Sequence, residues 1–210
     1  MKTTRFVAQW ALAPLAGWIL CGSVLAADPA PTTTNAPPRK PDVVYVPTPQ
    51  EVVDKMLEMA AVKPGDVVYD LGCGDGRIVV TAAKKYGVKA VGFDIDPERI
   101  KEAQANVKSN KVETLVTIKQ ADIFTQDLRE ASVVTLYLLP ELNVKLMPQL
   151  ARLKPGSRIV SHDFDMRGAK PVLVQHLKGK SEFADEEQDI GSEHTVYKWV
   201  VPWEQEASKE

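Results

Sequence analysis

The chain reads as a doubly wound α/β protein, a parallel β-sheet covered by helices on both faces. Three features of its 210 residues predict this. Short apolar runs alternate with helical stretches of 10 to 13 residues between Asp66 and Asp163, the pattern of strands joined by crossover helices. One run, Val67-Val68-Tyr69-Asp70, passes through Gly72, Gly74 and Gly76 straight into a helical stretch that begins at Arg77. The tail breaks the alternation: no crossover helix is legible between residues 172–177 and 194–201, so an antiparallel pair closing one sheet edge is expected.

Residues 51–61 place Val52, Val53, Met56, Leu57 and Ala60 at helical spacing, with Glu51, Asp54, Lys55 and Glu58 on the opposite face, which predicts an amphipathic helix. Lys63-Pro64-Gly65 follows. Proline sets φ to about −65° and glycine accepts a positive φ, as a type II turn requires, so the helix stops and a strand starts at 66–70. The same device stands at Lys154-Pro155-Gly156, between a helix at 141–153 and a strand at 158–163. Between the two turns the expected order is helix 77–86, strand 90–94, helix 97–109 opened by Pro97, then strands at 116–121 and 133–138.

Composition is that of a globular protein, with 44% hydrophobic and 26% charged residues, and it excludes collagen-like, low-complexity and disulfide-framework classes. Residues 1–27 have the make-up of a signal peptide: Lys2 and Arg5 precede an uncharged stretch that ends in Ala26 and Ala27. Cleavage would make the protein exported, hence periplasmic. The alternative is a membrane anchor, because 22 uncharged residues can span a bilayer of about 30 Å, although Pro14, Gly17, Gly22 and Ser23 interrupt a helix there. Membrane contact would then be confined to this N-terminal segment. Residues 28–42, with five prolines and three consecutive threonines, form a linker with nothing to bury. What remains is one domain at 43–203 and a polar tail at 204–210. Without Lys2 and Arg5, 24 basic residues stand against 28 acidic ones, so the body suits a phosphate backbone poorly and no nucleic-acid partner is expected. Cys21 falls in the leader, which leaves Cys73 as the single thiol of the body.

The glycine loop after Asp70 carries the chemistry. Glycines let a ligand approach the backbone, and a helix N-terminus offers unpaired N–H groups and positive potential. Asp94 ends the next strand, 24 residues after Asp70, where a carboxylate can accept both ribose hydroxyl protons. A dinucleotide fingerprint, GxGxxG, would need a glycine where Arg77 stands, and Asp70 fits badly beside a pyrophosphate. It suits a ligand bearing an ammonium and a sulfonium. A NAD-dependent oxidoreductase is therefore opposed by Arg77, while a binding module without transferase activity would share every one of these residues.

Together the motifs resemble the class I S-adenosylmethionine-dependent methyltransferases over about residues 45–202. DLGCGDG at 70–76 is similar to their first motif, Asp94 with Ile95 in VGFDID to their ribose-binding acid, and Asp122 and Ile123 in QADIF to the positions lining adenine. VPTP at 46–49, DLGCGDGRIVV at 70–80 and AVGFDIDP at 90–97 look most like the lysine methyltransferases of ATP synthase subunit c and the adenine nucleotide translocase and their bacterial relatives. The resemblance implies a mostly parallel seven-stranded Rossmann-like sheet with an antiparallel C-terminal strand, and S-adenosyl-L-methionine as cofactor. It implies cofactor binding by Pro47, Thr48, Asp70, Gly72, Cys73, Gly74, Gly76, Asp94, Ile95, Asp122 and Ile123. It also implies a protein lysine as acceptor, with a small molecule as the other option. By the same resemblance Tyr45-Val46-Pro47-Thr48 would fold over the cofactor; two prolines guiding the linker into the first helix account for the segment equally well.

For the acceptor, methyl transfer needs a neutral nucleophile held in line, and a lysine must be stripped of a proton by desolvation or a base. Many amine methyltransferases carry Asn or Asp followed by Pro-Pro after the fourth strand; here the place reads Tyr137-Leu138-Leu139-Pro140, which argues against a nucleobase. The candidate catalytic residues are Tyr137, Glu141 and Asp163. Sheet packing explains Tyr137 and a favourable helix-terminal charge explains Glu141 without any catalytic role. Cys73 is expected to be a small loop residue and Asp75 a helix cap. Ser161-His162-Asp163 is not expected to form a hydrolase relay, because neighbours on a strand point to opposite faces. No metal site is expected either: His162, Asp163 and Asp165 lack a second ligand cluster at recognised spacing, and His176 and His194 are expected as surface or packing residues.

Overall fold

The computed structural model describes residues 40–180 and 192–206. The expected leader, the linker as far as residue 39 and the tail beyond residue 206 lie outside the described residues. No helix among the described residues is long and apolar enough to cross a membrane.

Helix α1 (Gln50–Met59) buries Val52, Val53, Met56 and Leu57 and ends in a turn through Val62, whose N–H donates to the Leu57 carbonyl. Lys63-Pro64-Gly65 makes the expected turn, with Gly65 at φ 91° and the Asp66 N–H donating to the Lys63 carbonyl at 3.1 Å. Strand β1 (Val67–Leu71) leads to α2 (Arg77–Tyr86), β2 (Lys89–Asp94) to α3 (Pro97–Ser109), and β3 (Val116–Gln120) to a single 3₁₀ turn at Ile123–Thr125. Strand β4 (Val133–Leu136) precedes α4 (Pro140–Leu150), and β5 (Arg158–His162) follows the second Lys-Pro-Gly turn. β4 stops two residues short of the expected end because the chain leaves the sheet at Tyr137 and lays Leu138 over the glycine loop.

One difference belongs to the C-terminal part. The strands β6 (Ala169–Lys170) and β9 (Glu204–Gln205) pair antiparallel as a separate two-stranded sheet, so the tail expected from residue 204 begins as a strand. Strands β7 (Leu173–Gly179) and β8 (Ser192–Val200) form the antiparallel edge that the tail pattern called for. The main sheet has seven strands in the order β3-β2-β1-β4-β5-β8-β7, parallel from β3 to β5 and antiparallel thereafter.

Successive residues of the central strands feed two different cores. Val68, Val133 and Val160 join α1, α2 and Val107 of α3 on one face, while Tyr69, Val134 and Ile159 join Leu146 and Leu150 of α4 on the other. A sheet buried on both faces needs apolar residues at consecutive positions, and β4 is buried throughout. The chain runs outward from β1 to β3, then returns to add β4 on the other side of β1. That reversal splays the loops apart at the C-terminal ends of β1 and β4, where open α/β sheets bind ligands.

Candidate active site

A cavity of about 700 Å³ opens at the C-terminal ends of β1, β2 and β4. β1 delivers Asp70 to its wall, fully buried, with Oδ1 accepting from the Thr135 hydroxyl at 2.7 Å. Oδ2 is equally buried and has no hydrogen-bond partner among the described residues. Burial pushes the carboxyl up to about 7; the Thr135 hydrogen bond opposes this, and the charges of Asp94 and Asp75 add to it. A buried carboxylate oxygen without a donor is costly unless a ligand supplies one, and a cationic donor suits it best.

The loop that follows is held by the tip of β2. The N–H groups of Gly72 and Cys73 both donate to the Phe93 carbonyl, each at 2.9 Å. Gly74 N–H donates to Asp94 Oδ2 at 2.9 Å, and Asp96 N–H to Asp94 Oδ1 at 2.9 Å. Each Asp94 oxygen thus holds one backbone donor and keeps a lone pair for another. Asp94, Ile95, Asp122 and Ile123 all line the cavity, and Asp122 also caps the 3₁₀ turn through Phe124 N–H at 3.0 Å.

The segment before α1 closes the cavity from outside. Val43, Val44, Tyr45, Val46 and Thr48 line it, and the Tyr45 ring lies on Gly74 so closely that a Cβ there would fall 2.1 Å from a ring carbon. The Arg99 guanidinium lies over the Tyr45 ring, 4.9 Å from its centroid. Arg77 makes a fork with Asp75, at 2.8 and 3.0 Å, and reaches the Thr48 carbonyl with Nη1 at 2.9 Å. The N-cap of α2 is Gly76, without a side-chain cap bond, so Asp75 is not the cap expected; one residue earlier, it accepts the Arg77 N–H at 3.1 Å and stands on the cavity wall. Among the implied cofactor residues, Pro47, Gly74 and Gly76 are not on the wall: Gly74 underlies Tyr45, and Gly76 packs on Ala103, where a Cβ would come within 3.1 Å. Cys73 is on the wall, but burial pushes its thiol well up and its sulfur fits against Gly92, which agrees with a small loop residue.

At the far end the wall is made by Tyr137, Leu139, Leu142 and Phe164. Burial raises the Tyr137 phenol, with the Asp163 charge adding to it, and the ring lies against His162, tilted by 34° with centroids 3.9 Å apart. Glu141 is exposed, pairs with Arg167 at 3.5 Å and does not reach the cavity. Asp163 does not line it either; its Oδ2 lies 3.2 Å from both His162 Nε2 and His194 Nδ1. Neighbouring residues converge here because Asp163 leaves the strand at φ 56°. His194, expected as a surface or packing residue, is thereby a partner of His162. Burial alone would push the Asp163 carboxyl up, but hydrogen bonds from His162 and the Thr195 N–H bring it down to about 2, and burial lowers His162. Sequence reasoning also missed Arg99, which follows Asp94 by five residues with nothing local to point at Tyr45, and Asn143, a buried amide whose Nδ2 donates to the Phe164 and Asp165 carbonyls at 3.3 and 3.1 Å and so shapes the far wall.

A doubly wound sheet in this strand order, with one buried acid at the tip of β1 and a second acid at the tip of β2 on the wall of a single cavity, is the arrangement of a class I S-adenosylmethionine-dependent methyltransferase. Comparison with known proteins places it more narrowly: the chain belongs to the ANTKMT methyltransferase family, whose domain model matches residues 70–173. It is 48% identical over 163 residues to a protein-lysine N-methyltransferase of Saccharolobus islandicus (strain REY15A), covering 77% of this chain and 95% of that one. It is 32% identical over 139 residues to the adenine nucleotide translocase lysine N-methyltransferase of Mus musculus, covering 65% of this chain and 60% of that one. A crystal structure of an RNA methyltransferase from Salinibacter ruber, in complex with S-adenosyl-L-homocysteine, superposes with a TM-score of 0.65 at 46% identity, over 79% of this chain and 98% of that one. The protein is a methyltransferase enzyme that uses S-adenosylmethionine.

Proposed function

We propose that this enzyme methylates the side-chain amine of a protein lysine. The observation that carries the reading is the far wall of the cavity, where Tyr137 and Phe164 stand with Leu139 and Leu142, a stretch that among the described residues contributes aromatic and aliphatic side chains while the aspartates of the cavity stand on other elements. Aromatic faces attract an alkylammonium, and an apolar surround favours its neutral form, the nucleophile the reaction needs. The 48% identity to a protein-lysine N-methyltransferase supports the same acceptor. In this reading Asp70 Oδ2 takes the cofactor's ammonium, Asp94 its ribose hydroxyls, and Asp122 with Ile123 borders its adenine. The bound cofactor supplies an electrophilic methyl group on a sulfonium. The chain itself contributes placement: the strap from Val43 to Thr48, tied down by Arg77 and Arg99, excludes water and holds donor and acceptor in line at about 3–3.5 Å.

An RNA acceptor is the second reading, favoured by the 46% identical structure described as an RNA methyltransferase. The acidic body weighs against it. Incubation with methyl-labelled S-adenosylmethionine, a mixture of cellular proteins and, separately, total RNA decides between them. Label recovered on lysine Nζ by peptide mass spectrometry is the expected result, and label in RNA alone overturns the proposal. The make-up of residues 1–27 supports export of the enzyme, which fractionation of cells expressing the full chain tests; recovery of uncleaved chain in the cytoplasm would contradict it.

A further inference from the structure

We propose that His162, Asp163 and His194 form a binding site for one divalent transition-metal ion of the zinc class. His162 Nε2, His194 Nδ1 and Asp163 Oδ2 lie 2.9, 3.2 and 3.2 Å from one another. Ligand bonds of about 2.0–2.1 Å give ligand-to-ligand edges of about 2.9 Å at right angles and about 3.3 Å in a tetrahedron, so the three atoms already have the spacing of one coordination face.

Proton counting points the same way. An imidazole in its neutral form brings one N–H, on either ring nitrogen. A proton on His162 Nε2 or on His194 Nδ1 alone serves two of the three contacts and leaves the third as lone pair against lone pair. Protons on both nitrogens set N–H against N–H across 2.9 Å. With the carboxylate ionised, no placement of protons on these two nitrogens makes all three contacts hydrogen bonds, whereas a cation at their centre is attracted by all three lone pairs.

Two of the three ligands, His162 and Asp163, are also held from behind, while His194 Nε2 is buried without a hydrogen-bond partner among the described residues. His162 is fully buried and its other nitrogen, Nδ1, lies 3.2 Å from the Thr48 hydroxyl; with the proton on Nδ1 and donated to that oxygen, the tautomer a metal would select, Nε2 keeps its lone pair for the ion. Asp163 Oδ1 accepts the Thr195 N–H at 2.8 Å, and the backbone at φ 56° turns the carboxylate back toward His162. Such outer partners are what orients metal-ligating side chains. The antiparallel register of β5 with β8, His162 opposite Val196, is what brings His194 across from a strand end far away in sequence. Three protein ligands leave a position open for water. Thr48 and Tyr137 both touch His162 and both line the cavity, so the ion stands directly behind the acceptor wall and the strap and fixes their position.

The test uses the full chain without a polyhistidine tag, stripped by chelator and titrated with Zn²⁺ by calorimetry and with Co²⁺ by visible absorption. One ion per chain, with a dissociation constant of about 1 µM or tighter, and Co²⁺ bands displaced by Zn²⁺ are expected. His194→Ala should weaken binding more than about 100-fold, Thr48→Val about 10- to 100-fold, and Asp127→Ala, an exposed carboxylate paired with Arg129, not at all. If His194→Ala fails to fold, the Co²⁺ spectrum of the wild-type chain and the Thr48→Val affinity decide. Absence of binding at about 100 µM metal, or equal affinity in the His194→Ala protein, overturns the site. These readouts do not pass through methyl transfer, so they stand or fall apart from the lysine reading.

Discussion

Lowering the pH from 7.5 to 6 should weaken S-adenosylmethionine binding about eightfold, and the cause is Asp70. In the free protein burial holds this carboxyl at about 7, against the pull of the Thr135 hydroxyl, so near neutrality it is half protonated. The unpartnered Oδ2 binds an ammonium only as a carboxylate. A group whose pKa is raised in the free state and lowered by the ligand must release its proton on binding, so affinity is full above 7 and falls as the pH drops through it. From a pKa of about 7 the loss between pH 7.5 and 6 corresponds to about 1.3 kcal/mol, with about 0.9 proton released per ligand at pH 6. The window stops at about 7.5 because a free α-amine begins to lose its own proton near 7.7–8.0. Calorimetry in two buffers of different ionisation enthalpy reads both quantities. Asp70→Asn should bind weakly at both pH values and lose the slope. A flat affinity with no proton release in the wild type would refute the reasoning.

Three further perturbations test other parts of the structure. Asp94→Ala removes a charged acceptor from the cavity wall and should weaken S-adenosylmethionine binding about 10- to 150-fold, the equivalent of about 1.5–3 kcal/mol, as titration would show; unchanged affinity contradicts the placement. Gly74→Val forces a branched side chain into the Tyr45 ring at φ 52°, so it should expel the strap, weaken binding at least about tenfold and expose residues 40–48 to limited proteolysis; normal affinity would mean the strap is not part of the site. Arg158→Met strips Asp66 of its guanidinium while leaving the Ser132 and Lys63 donors, and should cost on the order of 2–3 kcal/mol in urea unfolding at pH 7. Burial raises the Asp66 carboxyl, but the hydrogen bonds from Arg158, Ser132 and Lys63 outweigh it and the net direction is down. The stability it contributes is thus present above the ordinary carboxylate range and lost as pH falls through it, and the Arg158→Met penalty should shrink toward pH 3.

What the sequence made legible was local. The helices at Arg77–Tyr86 and Pro97–Ser109 have the expected bounds, because an apolar stripe and, for the second, a proline at the first turn with Asp96 as cap all lie within a few residues. Both Pro-Gly turns are where their φ requirements put them. Asp70 and Asp94 were legible for a related reason: a parallel sheet places every strand end that precedes a helix at the same edge. Three things were hidden. The two-residue strands β6 and β9 are too short to carry a periodicity. The Tyr45 ring on Gly74 and the Arg99 guanidinium on that ring are tertiary contacts between segments with no shared pattern. Neighbours on an extended strand diverge, but His162 and Asp163 converge because a left-handed residue, Asp163, ends the strand. His194 could have been suspected from a histidine near the end of each of two antiparallel strands, but their register is fixed across a long connection and not by either strand alone.

The most direct test of the account is a calorimetric titration of the full chain with S-adenosylmethionine, S-adenosylhomocysteine and NAD in parallel. Binding of the first two at one ligand per chain, with no heat from NAD, is the result predicted by a cavity whose wall presents Asp70 and Asp94. Binding of NAD without either of the others would contradict it.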